Sequence, residues 1–185
     1  MDAKRIIQFL KDVSANNNRQ WFLEHKAEYL EVRKNFEDGI AQAILRISEF
    51  DPSVKHVLPK DATYRFNRDT RFSPDKSPYK NHLGAYINAR GKKALRDGYY
   101  IHIEPDKCLL AVGNYWLPTN ILTACRNEMM SNEEEWLKCV QNEKFLKYFG
   151  SPVDQEWGSP KGFGIEHLKT CPSGFPKDYK YIEYL

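Results

Sequence analysis

The 185-residue sequence has no apolar run approaching the length of a membrane span, and its opening, MDAKRIIQFLKDV, lacks the apolar core and small-residue cleavage site of a signal peptide. A cytoplasmic location with no membrane partner is the expectation. Its four cysteines (Cys108, Cys125, Cys139 and Cys171) stand far apart and form no C-x-x-C pair, which argues against a zinc knuckle or a redox motif and for free, buried thiols. There is no Gly-rich phosphate loop, no G-x-S-x-G elbow, no H-E-x-x-H and no other recognised metal-ligand spacing, so no metal and no cofactor is expected. Net charge is only +3, too little for a chain that holds nucleic acid by bulk charge. An apolar content of 41 % with 14 % aromatics excludes wholesale disorder, and the length suits one well-buried domain over residues 1–185.

The charge that is present is concentrated. The stretch RFNRDTRFSPDKSPYK, residues 65–80, holds five basic and two acidic residues and so accounts for the whole net charge. Prolines at 74 and 78 and the Asp-Thr and Ser-Pro pairs make it an irregular loop, with Phe72 and Tyr79 as apolar anchors. In such a loop Arg65, Arg68, Arg71, Lys76 and Lys80 can converge on one anion, because guanidinium forks match phosphate or carboxylate oxygens. Asp69 and Asp75 can orient the arginines or accept protons. An arginine–aspartate network that merely pins the loop to the body is compatible with the same residues.

Around this loop the period of the apolar residues changes. Residues 1–50 read as helical: Ile6, Ile7, Phe9, Leu10 and Val13 share a side, SANNNRQ interrupts with capping asparagines, and gaps of three and four from Trp21 through His25, Tyr29, Val32, Phe36, Ile40 and Ile44 to Ile47 describe one long core-facing helix ending near Phe50. Residues 62–116 alternate. ATYRFN, HLGAYINA, GYYIHIE and CLLAVGNYW give a three- or four-stranded antiparallel meander, with a tight turn at EPDK where Pro105 fixes φ and Asp106 tolerates the turn. Residues 117–150 are helical again, with a Pro-Thr start and a capping box at Ser131 and Glu134, and residues 151–185 form a Pro/Gly-rich tail carrying the echo P-x-G-F at Pro160–Phe163 and Pro172–Phe175. The expected fold class is α+β: an antiparallel meander with helices from both termini packed on it.

Strand alternation sorts the sheet residues. Tyr99, Ile101 and Ile103, with Cys108, Leu110 and Val112 of the next strand, read as core. Tyr100, His102 and Glu104 point the other way, joined by His82, Tyr86 and Asn88 if Tyr86 lies opposite His102, and small residues beside them leave room for a ligand. A plain solvent face fits the alternation as well.

The segment FNRDTRFSPDKSPYKNHLGAYI resembles the hallmark of an uncharacterised family of bacterial and fungal proteins, a conserved domain of unknown function whose core reads roughly R-D-x-R-F-S-x-D-K-S-P-Y-K. FLKDVSANNNRQWFLEHKAEYLEVRKNFE is similar to its opening, with N-N-x-R-x-W-F at Asn17–Phe22, GYYIHIEPDKCLLAVGNYWLP to its central hairpin, and CPSGFPKDYKYIEYL to its late P-x-G-F motif. Two departures stand out: Gly113-Asn114 where members carry Gly-Gly, and a stop at Leu185 where members continue, so that a closing helix is expected to be missing. The resemblance implies no established activity. From the residues, three readings stay open. One is a protein that binds, or acts on, a phosphorylated or other anionic small molecule held by Arg65, Arg68, Arg71, Lys76 and Lys80, with His102 supplying acid–base chemistry alongside Glu104, Asp69 or Tyr79. Another is a nucleic-acid-binding module that stacks bases on exposed aromatics. The last is a non-enzymatic interaction protein whose loop is structural.

Overall fold

A computed structural model of the chain describes residues 1–150 and 171–176. Most of the Pro/Gly-rich tail, including Pro160–Phe163 and the KDYKYIEYL segment from Lys177 onward, lies outside the described residues. The chain divides into two compact units, Met1–Trp116 and Leu117–Leu185.

The first unit begins with α1 (Ala3–Ala15), capped by Asp2, whose carboxylate accepts from the Arg5 backbone N–H at 3.1 Å. Its buried residues Ile6, Phe9, Leu10 and Val13 keep the helical spacing of the sequence. Asn18 caps α2 (Arg19–Glu24) by accepting from the Trp21 N–H at 2.9 Å. The single long helix expected from Trp21 is instead two. His25 leaves helical geometry at φ −103°, ψ 16°, its ring Nδ1 sits 2.8 Å from the Trp21 carbonyl, and the imidazole stacks on Trp21 at 3.9 Å. The His25 backbone N–H still bonds the same carbonyl at 3.0 Å, so the ring shares that acceptor and the break lies in the His25 dihedrals. After it, α3 (Lys26–Ile47) buries Val32, Phe36, Ile40 and Ile44, a stripe at every fourth residue. A short α4 (Pro59–Ala62) follows.

Three strands, β1 (Leu83–Ile87), β2 (Gly98–Ile103) and β3 (Leu109–Gly113), form an antiparallel sheet in that order. The fold is thus α+β, with helices packed on the sheet. Leu83, Ala85, Ile87 and Ile103 face the core made by α1 and α3. The β2–β3 turn is built as its residues dictate, with Asp106 at φ 63° and the Lys107 N–H bonded to the Glu104 carbonyl at 3.2 Å.

Three sheet expectations are corrected. ATYRFN forms no strand, only the isolated bridges Thr63–Ala85 and Asn67–Tyr79. Tyr64 N–H bonds the Gly84 carbonyl of β1 at 2.9 Å, and beyond it the two ends of the loop pair with each other, Lys80 N–H to the Phe66 carbonyl at 3.0 Å and Arg68 N–H to the Pro78 carbonyl at 2.9 Å. Next, Tyr86 lies opposite Tyr100 and Gly84 opposite His102, a two-residue shift that keeps the same side chains on the same face. Finally, Leu110 and Val112 are 77 % and 68 % exposed, because β3 is an edge strand while α1, α3 and α4 pack on β1 and β2. The thiols are free but not buried: Cys108, Cys125 and Cys139 are exposed.

The second unit contains α5 (Thr119–Ser131), α6 (Glu133–Val140) and α7 (Glu143–Phe149). The Ser131–Glu134 capping box is absent: α5 runs on through Ser131, so α6 is preceded by Asn132, which makes no side-chain cap. Asn142 caps α7 through the Lys144 N–H at 3.0 Å, and Gly150 closes it at φ 74°. Among the described residues no helix is long and apolar enough to cross a membrane.

Candidate functional site

The basic loop is organised by its own aspartates. Asp69 takes both arms of Arg71, at 3.0 and 2.7 Å, and lies 3.9 Å from Arg65; these guanidinium groups, the Arg71 hydrogen bond first, hold its carboxyl below the usual range. Asp75 pairs with Arg68 and also accepts from the Ser77 hydroxyl (2.6 Å) and N–H (2.9 Å), which hold it well below that range. Lys76 donates to the Thr70 carbonyl at 3.0 Å. Arg68, Arg71 and Lys76 therefore serve the loop's own architecture, and Phe72, expected to anchor it, is 93 % exposed.

Anchoring falls to Phe66 and Tyr79, 2 % and 7 % exposed. Tyr79 stacks on Phe22 at 4.0 Å, and Phe66 lies 5.0 Å from Tyr29. Asn17 grips the loop as a second strand would: its amide donates to the Tyr79 carbonyl at 2.9 Å and its oxygen accepts from the Tyr79 N–H at 3.1 Å. Tyr79, counted from sequence as an acid–base candidate, is thus placed as a core residue.

Where the loop runs into β1 it walls an open cleft of about 480 Å³, lined by Ser14, Asn17, Arg68, Asp75, Ser77, Tyr79, Lys80, Asn81 and His82. Lys80 differs from its basic neighbours. Its ammonium lies over the Tyr64 ring at 5.6 Å, has no carboxylate within 4.0 Å among the described residues, and is lowered in pKa by burial and by Arg65.

Beside Lys80 the sheet carries a chain of polar contacts. The Tyr100 hydroxyl is 2.8 Å from His102 Nδ1, His102 Nε2 is 3.0 Å from Glu104 Oε2, and Asn81 donates to Glu104 Oε1 at 2.5 Å. Burial raises Glu104, but the hydrogen bonds from His102 and Asn81 outweigh it and leave the carboxyl below its ordinary pKa. With Glu104 ionised, His102 Nε2 carries the ring proton and Nδ1 accepts from Tyr100. Both nitrogens of His102 are thereby engaged. Gly84, opposite His102, leaves room for this: a Cβ there would stand 3.1 Å from the Tyr100 oxygen. His82 stacks on His102 at 4.5 Å, and burial, then His102 and Lys80, push its pKa down to about 4.

Asn81 and Asn17 are not among the site residues expected from sequence, and His82 is placed there only on the ligand-facing side of the sheet. The signal for His82 was the strand register: it immediately precedes β1, so pairing carries it opposite Glu104.

A family model described as conserved hypothetical protein (DUF2461) matches residues 5–185. The chain belongs to the DUF2461 family. Searches of curated proteins and of solved structures give no match. In this DUF2461 protein two segments that carry the sequence resemblance meet in space: Asn17 and Phe22 of N-N-x-R-x-W-F clasp Tyr79 of S-P-Y-K, and Lys80, the next residue, is delivered to the cleft.

Proposed function

We propose that this protein binds a phosphorylated or otherwise anionic small molecule in the cleft beside β1, with Lys80 as its principal cation. The observation that carries this reading is half-buried Lys80, which lines the cleft and whose ammonium has no carboxylate within 4.0 Å among the described residues. A half-buried cation with no carboxylate beside it carries a desolvation cost, and an anionic ligand offsets that cost. Arg68 and Arg71, neutralised by Asp75 and Asp69, shape the loop and do not grip the ligand directly. The same pairing makes nucleic acid the poorer match, since it removes two cations from the face that also exposes Phe72.

The test is a thermal-shift screen with inorganic phosphate, nucleoside monophosphates and sugar phosphates. At least one anion is expected to raise the melting temperature, with an apparent affinity reduced tenfold or more in Lys80→Ala and changed little in Arg71→Ala. No stabilising anion, or equal stabilisation of Lys80→Ala and wild type, overturns the reading.

A further inference from the structure

Next to the anion cleft, but not dependent on it, the sheet face presents the donor set of a transition-metal site. His82, His102 and Glu104 each offer one ligand atom, and these atoms lie within 4.8 Å of one another in a half-buried setting. We propose that these three side chains bind one divalent first-row transition ion, of the Zn²⁺, Fe²⁺ or Co²⁺ type, through two imidazoles and a carboxylate.

The outer atoms of all three groups are already held. His82 Nδ1 is 3.2 Å from Asn81 Oδ1, and the same amide's nitrogen donates to Glu104 Oε1. His102 Nδ1 faces the Tyr100 hydroxyl. That leaves His82 Nε2, His102 Nε2 and Glu104 Oε2 as the ligand atoms, the last two 3.0 Å apart. Such outer hydrogen bonds to ligating imidazoles and carboxylates are what fix ring orientation and tautomer in metal sites. One residue, Asn81, orients two of the three ligands.

The chemistry of the set also fits. Imidazole nitrogen and carboxylate oxygen suit zinc and iron, and two histidines with one carboxylate leave coordination positions open for water or a ligand. Metal–ligand bonds of about 2.0–2.2 Å need donor atoms roughly 3.0–3.5 Å apart. His102 Nε2 and Glu104 Oε2, at 3.0 Å, meet that already, and a tilt of the His82 ring closes the rest. The ion replaces the proton that His102 Nε2 shares with Glu104. The ring's single proton then resides on Nδ1 and is donated to the Tyr100 oxygen, whose own hydroxyl hydrogen turns away, so no proton is lost. Because His82 and Asn81 line the cleft, the open positions face the space assigned to the anion.

The experiment is equilibrium dialysis of the tag-free chain against Zn²⁺ and, separately, Co²⁺ with its visible absorption as the coordination signature. Expected is one ion per chain, with affinity falling tenfold or more in Glu104→Gln, His102→Ala and His82→Ala and unchanged in Cys108→Ser, which removes an exposed thiol near the turn. Proton NMR of the wild type provides a readout without any variant: Co²⁺ should shift or broaden the His82 and His102 ring resonances and spare those of His25 and His56. No bound ion, binding indifferent to Glu104→Gln, or ring signals of His82 and His102 that do not respond, each overturns the proposal. Anion binding does not enter this measurement, so either site can fail while the other stands.

Discussion

Replacing Phe66 by alanine is expected to destabilise the first unit by about 3–5 kcal/mol, the usual range for deleting a buried phenylalanine. The ring is 2 % exposed and sits within 6.3 Å, centroid to centroid, of Phe9, Phe22, Tyr29 and Tyr79, so it joins α1, α2, α3 and the loop in one aromatic cluster. These four elements cannot collapse into the void together, because each is fixed by its own hydrogen bonds, so the cavity persists. Phe66 also stands two residues before Arg68, and its carbonyl holds the Lys80 N–H. Its loss should therefore lower the urea midpoint and weaken anion binding together. A change under about 1 kcal/mol would show that the cluster is looser than its packing implies.

Asn17→Ala should be the second large effect. The side chain supplies both partners of the Tyr79 backbone across 62 residues of sequence, and its removal leaves a donor and an acceptor beside the core without them. Each such group costs about 1–3 kcal/mol when unsatisfied. Water at the cleft edge can reach part of this backbone, so a total of about 2 kcal/mol is expected for Asn17→Ala by urea denaturation. Asn17→Asp discriminates the mechanism. It keeps the acceptor for the Tyr79 N–H but turns a carboxylate against the Tyr79 carbonyl, so it should be no better than alanine. If Asn17→Asp were as stable as wild type, the two-bond clasp would not be what holds the loop.

Much of this arrangement was legible in the sequence, and the exceptions share a physical cause. The α1 and α3 stripes, the β1–β2–β3 meander and the Asp106 turn follow from local periodicity and turn chemistry, which need only neighbouring residues. So did the common face of Tyr100, His102 and Glu104, because alternation along one strand fixes it. What failed depended on distant partners. The pairing of Arg68 with Asp75 and of Arg71 with Asp69 is set by how the loop folds back on itself, so five cations that looked equivalent were sorted into three arginines beside aspartates, Lys76 on a backbone carbonyl, and Lys80 with no carboxylate within 4.0 Å among the described residues. Val112 and Leu110 have the pattern of a core strand, yet burial is decided by which helices reach β3. His25 fits the helical stripe by spacing, and that spacing carries no sign of the ψ of 16° at which the chain breaks between α2 and α3. Alternation also put His82 on the face of His102 and Glu104, but the three do not read as a metal-type set in the sequence because strand register, not a short motif, brings them together.

The cleft is tested most directly by ¹H–¹⁵N NMR of the wild type titrated with inorganic phosphate. Saturable shifts are expected at Ser77, Tyr79, Lys80, Asn81 and His82, with Asn17 following, and these should vanish in Lys80→Ala while its other resonances keep their positions. Shifts confined to the exposed tip from Asp69 to Phe72, or a response in Lys80→Ala equal to that of the wild type, would contradict an anion site at Lys80.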